Sequence, residues 1–165
     1  MDYGMIGKIE KAHRYALEPQ RITLSALTVE IRGDNNTYTV SLAESGWTCS
    51  CAGFEAHGLC PHIMALEKVF HPMLKRPASP YGHGQSVVSD VEKAGRYSHE
   101  TDRIRFKSFD ASFSGENSTH QMSYRDGEWG CDCDFFHSRK VCSHTMAMER
   151  IVSGMVSVVT PLIHY

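Results

Sequence analysis

The sequence predicts an α+β protein made of two tandem ββα-like units, each a β-meander followed by a helix, that are related by internal duplication. The main observation is a repeated motif. Trp47–Cys51 is followed, after eight residues, by Cys60–His62, and Trp129–Cys133 is followed, after eight residues, by Cys142–His144. Each cysteine and histidine of the second motif lies 82 residues after its equivalent in the first. Apolar alternation upstream of both motifs predicts the strands.

The repeat divides the 165 residues into two small units. We expect a first unit at 1–70, a Pro- and Gly-containing linker at 71–88, a second unit at 89–152 and an apolar C-terminal tail at 153–165. The hydrophobic core of a unit of about 80 residues gives only marginal stability. Modules of this size therefore usually need disulfides or a bound metal.

Each unit is expected to open with a short amphipathic helix. Met1–Gly7 is expected to be a loose end, and Lys8–Ala16 is compatible with a helix. In the second copy, Ser89 is followed three residues later by Glu92, which is a capping-box signature for a helix start. Identical residues at the 82-residue offset support the same helix in both units.

A β-meander follows the helix, and its first strand changes phase. Apolar residues alternate over Ile22–Ala26 and then, one position out of phase, over Leu27–Ile31. The second unit shifts phase at the same place, between Ile104–Phe106 and Phe109–Phe113, which predicts a β-bulge or a sharp bend that swaps which face of the strand is buried. Turn residues at 33–36 and 115–118 lead to a second strand, and a later hairpin brings the chain to each motif.

After the motif both copies are expected to become helical, with an approximate apolar stripe on one side of the helix. The tail has no counterpart in the first unit. Because it is apolar and β-branched at Val156, Val158 and Val159, we expect it to pack back as a strand.

All six cysteines lie inside the two motifs, and of the ten histidines only His62 and His144 are equivalent at the 82-residue offset. In C-x-C, side chains i and i+2 of an extended segment point to the same side, so both sulfurs can reach one ion. In C-x-H, Pro61 suits the first position of a helix that begins at the second ligand pair. Three thiolates and one imidazole complete a tetrahedral structural zinc site. The sequence therefore predicts two Zn²⁺ ions per chain, one held by Cys49, Cys51, Cys60 and His62 and the other by Cys131, Cys133, Cys142 and His144.

The composition favours an intracellular protein that is not an enzyme. Residues 1–16 carry charges throughout, and no stretch approaches the roughly 18 apolar residues of a membrane helix. We therefore expect a cytoplasmic, thiol-reducing location and no membrane partner, and a redox role for Cys49 and Cys51 is the weaker alternative. No phosphate-binding loop or nucleophile elbow indicates a small-molecule substrate. Asp132 and Asp134 flank Cys133, but the first unit lacks both, which favours solvated acidic residues over catalytic ones.

The spacing C-x-C, a variable gap and then C-x-H resembles the SWIM-type zinc finger, over Trp47–Val69 and Trp129–Ile151. The resemblance implies a β-β-α unit with one zinc ion at each of the two ligand sets. Members of that family are thought to bind DNA or proteins. The resemblance therefore implies a non-enzymatic interaction module, with DNA or RNA as the first expected partner.

Basic residues of the second unit favour a nucleic-acid partner. Arg103, Arg105 and Lys107 alternate along one expected strand face, and Arg139 and Lys140 occupy the tip of the loop between the ligand pairs. These five residues would bind phosphates, although an ordinary charged solvent face is the alternative. The two motif tryptophans either stack on bases or pack over the metal. Because the net charge of −2 provides no global basic field, the alternative function is a protein adaptor that docks a DNA-processing ATPase, recombinase or similar partner.

Overall fold

A computed structural model describes residues 3–76 and 87–157. The elements of the first half are α1 (Tyr3–Ala16), β1 (Ile22–Arg32), β2 (Thr37–Ala43), β3 (Gly46–Cys49), α2 (Ala52–His57) and α3 (Pro61–Phe70). Those of the second half are α4 (Val87–His99), β4 (Ile104–Ser114), β5 (Thr119–Arg125), β6 (Glu128–Cys131), α5 (Asp134–Arg139) and α6 (Ser143–Ile151). The predicted α+β class with two duplicated units is confirmed. In these ranges no helix has the length and apolar content needed to cross a membrane.

All six of these strands form one antiparallel sheet in the order β3-β2-β1-β4-β5-β6. The two units meet at β1 and β4, where Leu27 pairs with Phe109. On either side of this pair, Ile22 is opposite Phe113 and Ile31 is opposite Ile104. Phe109 lies 82 residues after Leu27, and the outer pairs exchange partners by the same offset. A pseudo-two-fold axis therefore passes through the centre of the sheet.

The phase shift in the sequence corresponds to a β-bulge, as predicted. The pairing of β1 with β4 changes register between Leu24 and Ala26, and again between Thr28 and Val29. Leu24 pairs with Ala111 and Leu27 with Phe109, and these two partners share one face of β4. The bulge therefore does not swap the buried face. It lets both phases of the apolar pattern point into the same core.

The helices pack across the two units. α1 of the first unit packs on α6 of the second, and α4 of the second packs on α3 of the first. Tyr15 of α1 and Tyr97 of α4 are almost fully buried in these contacts. The helix that opens each repeat therefore covers the motif end of the other repeat.

The opening helices begin earlier than the sequence indicated. α1 begins at Tyr3, so Met1–Gly7 is not a loose end over its described residues. Glycine costs about 1 kcal/mol in a helix, but each residue that extends an established helix gains a hydrogen bond that offsets its loss of entropy. α4 begins at Val87, inside the segment expected to be a linker. Residues 77–86 of that segment lie outside the described ranges.

The described part of the C-terminal tail packs on the second unit. Met155 and Val156 are buried, and the carbonyl of Met155 accepts a hydrogen bond from the N–H of Phe106 at 2.8 Å. The carbonyl of Ser157 accepts one from the indole N–H of Trp129 at 2.9 Å. No strand forms between residues 153 and 157, and residues 158–165, on which the rest of that prediction falls, lie outside the described ranges.

Candidate metal centres

The first group of four expected ligands forms where β3 ends and two helices begin. Cys49 is the last residue of β3, Cys51 caps the start of α2, and Cys60 caps the start of α3. His62 lies in the first turn of α3, after Pro61 at the first helical position. The four ligand atoms lie within 4.8 Å of one another, and all four residues are buried.

The short helix α2 brings the two halves of this group together. The Cys51 sulfur accepts a hydrogen bond from the N–H of Phe54 at 3.4 Å, which fixes the start of the helix. Gly58 ends it in the left-handed conformation, with φ of 73°, and donates to the carbonyl of Phe54. The chain reverses there and returns to Cys60. The sequence pattern predicts a loop between the ligand pairs rather than this short helix.

The second group repeats this arrangement. Cys131 ends β6, Cys133 caps α5, and Cys142 caps α6. Cys142 also forms a reciprocal cap with Thr145, whose N–H donates to the Cys142 sulfur at 3.4 Å. The ligand atoms of Cys131, Cys133, Cys142 and His144 again lie within 4.8 Å of one another.

The distances within both groups fit a tetrahedral zinc ion. With Zn–S bonds of about 2.3 Å, tetrahedral geometry separates two sulfurs by roughly 3.8 Å and leaves a slightly shorter distance to nitrogen. The Nδ1 atom of His62 lies 3.8 Å from the sulfur of Cys49. The Nδ1 atom of His144 lies 3.7 Å from the sulfurs of both Cys131 and Cys142. In each group Nδ1 is thus the histidine nitrogen that lies close to the cysteine sulfurs.

The thiols in each group share one easily formed thiolate. A hydrogen bond from Cys60 lowers the pKa of Cys49 to about 4, with a further contribution from His62. In the second group, Cys131 and then His144 lower the pKa of Cys142 to about 4. Cys49 and Cys142 are not equivalent positions, so the low pKa belongs to the pair of thiols rather than to one sulfur. Because zinc binds thiolates, metal binding releases the remaining protons.

Each ligand histidine contacts a tyrosine from the other unit. The Tyr97 ring stacks on His62 with 5.9 Å between ring centroids and 11° between planes. The Tyr15 ring stacks on His144 with 6.2 Å and 14°. Sequence reasoning missed this role, although both tyrosines are identical at the 82-residue offset. The offset shows that the positions are equivalent but does not show which motif a helix covers.

The two groups differ in the second ring that contacts the histidine. The ring centroid of Tyr38 lies 4.5 Å from that of His62, whereas the ring centroid of the equivalent residue His120 lies 4.6 Å from that of His144. The Nδ1 atom of His120 is 3.0 Å from a carboxylate oxygen of Asp132. One of the two acidic residues beside Cys133 is therefore engaged with a neighbouring imidazole.

The basic residue Arg103 has a structural role. It ends a 3₁₀ turn before β4, and its side chain is only 14% exposed. Its guanidinium lies 4.8 Å from the centroid of Tyr97, pairs with Glu100 and donates to the carbonyl of Arg32. The equivalent Arg21 makes the matching contacts in the first unit, so these interactions belong to the fold.

The other four basic residues are more accessible but do not lie together. Arg105 and Lys107 are exposed on the sheet face opposite the helices, and Lys107 lies 3.3 Å from a carboxylate oxygen of Glu30. Arg139 ends α5 over the ring of Phe135, and Lys140 follows in the left-handed conformation. β4 begins near the first metal group and ends near the second. At the usual rise per residue, the two ends of this strand are about 33 Å apart. The five residues therefore do not form one continuous surface.

The two motif tryptophans pack on the core. Trp129 lies edge-on to Phe109 and Tyr124, and Trp47 is partly buried against the same core cluster. Phe54 is also packed there, and Phe136 is buried beside the second cysteine group. These contacts leave the tryptophans poorly placed for base stacking.

A closed set of three thiolates and one imidazole, built from a strand end and two helix starts, defines a structural zinc knuckle. The family described as SWIM zinc finger matches residues 38–69 and 115–150, and each region contains one Cys₃His group. The chain therefore contains two SWIM zinc finger regions in tandem, and their two Cys₃His groups support two Zn²⁺ ions. No curated protein and no solved structure matches it.

Proposed function

We propose that this chain is a zinc-stabilised docking module for a protein partner. Each zinc ion is held by the three cysteines and the histidine of one motif. This closed coordination leaves no open position for a substrate, so the zinc stabilises the fold. The observation that carries the docking role is a pair of exposed apolar residues, found at equivalent places in both units.

The exposed pair lies on the opening helix of each repeat. Ile6 and Ile9 of α1 are 40% and 38% exposed, and Val88 and Val91 of α4 are 73% and 38% exposed. The second pair follows the first by 82 residues, and within each pair the spacing of three places both side chains on one helix face. Single exposed apolar residues are common, but the same pair in both units indicates a used surface.

The pseudo-two-fold axis relates the two pairs. We infer that the partner presents two equivalent apolar elements, as a two-fold symmetric dimer does. Beside Ile9, a cavity of about 430 Å³ is lined by Met146 and by the charged residues Glu149 and Arg150. An apolar centre with a charged rim is the usual composition of a protein interface.

Nucleic acid is the second candidate, and the exposure of Arg105, Lys107 and Lys140 favours it. If these residues and Arg139 make four phosphate contacts, raising the salt from 50 to 200 mM would weaken binding about 100-fold. An apolar protein interface changes much less over this range. The salt dependence of binding therefore separates the two candidates.

The test compares two double variants of the full chain. Ile9→Ser with Val91→Ser removes one apolar side chain from each pair without changing the charge, and Arg105→Ala with Lys107→Ala is the matched control. We expect the wild-type chain to capture a protein partner from nuclease-treated host extract. Once purified, that partner should bind wild type and the control equally, with little salt dependence. The serine variant should bind at least tenfold more weakly.

Labelled single- and double-stranded DNA are titrated with the same three proteins at 50 and 200 mM salt. Tight, strongly salt-dependent DNA binding that is lost in the alanine control and kept in the serine variant would contradict protein docking. It would establish nucleic acid as the partner.

A further inference from the structure

The tyrosines that stack on the ligand histidines also hold the neighbouring turns. The hydroxyl of Tyr97 accepts a hydrogen bond from the N–H of Asp34 at 3.2 Å, and that of Tyr15 accepts one from Glu116 at 3.3 Å. The glycine before each of these donor residues, Gly33 or Gly115, lies close to the ligand histidine. A Cβ on Gly33 would lie 3.4 Å from Nε2 of His62. One tyrosine therefore fixes both the imidazole ring and the turn beside it.

Ion pairs hold each tyrosine-bearing helix on the opposite unit. Arg96 of α4 binds the carboxylate of Asp34 with two hydrogen bonds of 2.8 Å, which lowers the pKa of Asp34 to about 2. Arg14 of α1 pairs with Glu116 at 3.1 Å in the equivalent place. Both contacts join a helix of one repeat to the turn beside the zinc site of the other repeat.

We propose that Tyr97 and Tyr15 are positioning residues for the zinc site of the opposite unit, so that both repeats complete each site. Tyr97 acts on the site of Cys49, Cys51, Cys60 and His62, and Tyr15 acts on the site that contains His144. The inference rests on the zinc ligation proposed above. It follows that neither motif holds its metal at native affinity without the helix of the other repeat.

Cadmium-113 bound to the full chain in place of zinc tests the inference. Each cadmium resonance is assigned through its correlation with the Hβ protons of its own cysteines. In Tyr97→Leu, we expect the first-site resonance to shift and that site to lose cadmium to EDTA roughly 10- to 100-fold faster, the range typical of changes around metal ligands. In the fully loaded protein, before any metal is lost, the second-site resonance should keep its wild-type chemical shift. Tyr15→Leu should give the mirror image.

Two further variants separate positioning from loss of the fold. Tyr3→Leu makes the same substitution at a 78% exposed site on α1, and both cadmium sites should behave as in wild type. Tyr97→Phe keeps the ring and removes the hydroxyl. This variant replaces Tyr97→Leu in the test if the leucine variant does not fold. We expect a smaller acceleration at the first site.

The inference is overturned if, in fully loaded Tyr97→Leu, the second-site resonance shifts, both resonances shift equally or neither resonance shifts. It is also overturned if Tyr97→Phe leaves the first site unchanged. Failure of the underlying ligation has a different result. Wild type would then lack two cadmium resonances correlated with the two cysteine sets.

Discussion

At the residue scale, the glycine beside each ligand histidine controls how closely the turn approaches the site. The N–H of Gly33 donates to the carbonyl of Asn36 at 2.8 Å, and that of Gly115 donates to Ser118 at 2.9 Å. A Cβ on Gly115 would lie 3.0 Å from the Ser118 carbonyl oxygen and 3.8 Å from Nε2 of His144. The first of these neighbours is backbone and cannot rotate away.

Gly115→Ala should therefore destabilise the protein by about 1–3 kcal/mol, the usual cost of overpacking. Gly95→Ala is the matched control, because Gly95 lies within α4 and nothing lies within 4 Å of its added Cβ. The control should stabilise the protein by about 0.5–1 kcal/mol. Chemical denaturation of the zinc-loaded proteins measures both changes. Equal effects of the two substitutions would contradict the proposed close approach.

The equivalence of His62 and His144 was predictable because the 82-residue offset compares positions directly. The contacts of Arg103 were not predictable in this way. The alternation of basic residues predicts that Arg103 lies on a strand face, but the residue lies in a turn, and its guanidinium packs over the ring of Tyr97. An arginine that supports a ring and one that faces solvent have the same sequence pattern.

At the element scale, the short helices between the ligand pairs set the return path of the chain. Gly58 caps the C-terminal end of α2, whereas Lys140, which has a φ of 60°, caps that of α5. Glycine adopts this left-handed conformation without steric cost, but a side chain at the same φ is strained by about 1 kcal/mol or more. The second unit therefore carries backbone strain that the first unit avoids.

Lys140→Gly should relieve this strain and raise the stability by about 0.5–1 kcal/mol, since part of the gain is offset by greater freedom of the unfolded chain. The expected increase in Tm is about 1–4 °C for a chain of this size. Gly58→Ala should lower the stability by a similar amount. Calorimetry of the zinc-loaded proteins checks both, and a lower Tm for Lys140→Gly would refute the strain argument.

Sequence reasoning found the longer elements and missed these short helices. The phase shift over Ile22–Ile31 is long enough to indicate a bulge, because each strand face shows several apolar residues. α2 and α5 contain six residues each, fewer than two helical turns, so no period can be recognised. Cysteine occupies the N-cap position of both helices, and sequence rules do not treat cysteine as a capping residue.

At the scale of the whole molecule, the duplication produces one interlocked body. β1 and β4 join two three-stranded halves into a single sheet, and the exchanged helices α1 and α4 cover opposite ends of it. The offset predicted two equivalent units. It did not predict the exchange, because equivalent residues make equivalent contacts whether a helix packs on its own unit or on the other.

The two zinc sites together hold this one body in its folded state. The binding energy of a structural zinc ion, on the order of 10 kcal/mol, is comparable to the net stability of a whole domain. Removing the metal should therefore unfold the chain, and the shared sheet should make both halves unfold together.

The most direct test is a chelator titration that follows zinc content, helical circular dichroism and the near-ultraviolet signal of the two tryptophans on the same sample. We expect two zinc ions per chain and the loss of both optical signals in one shared transition as the metal is removed. Fewer than two zinc ions, or a chain that keeps its fold without metal, would show that the fold does not depend on two zinc sites. Two separate transitions, one for each unit, would contradict the interlocked fold.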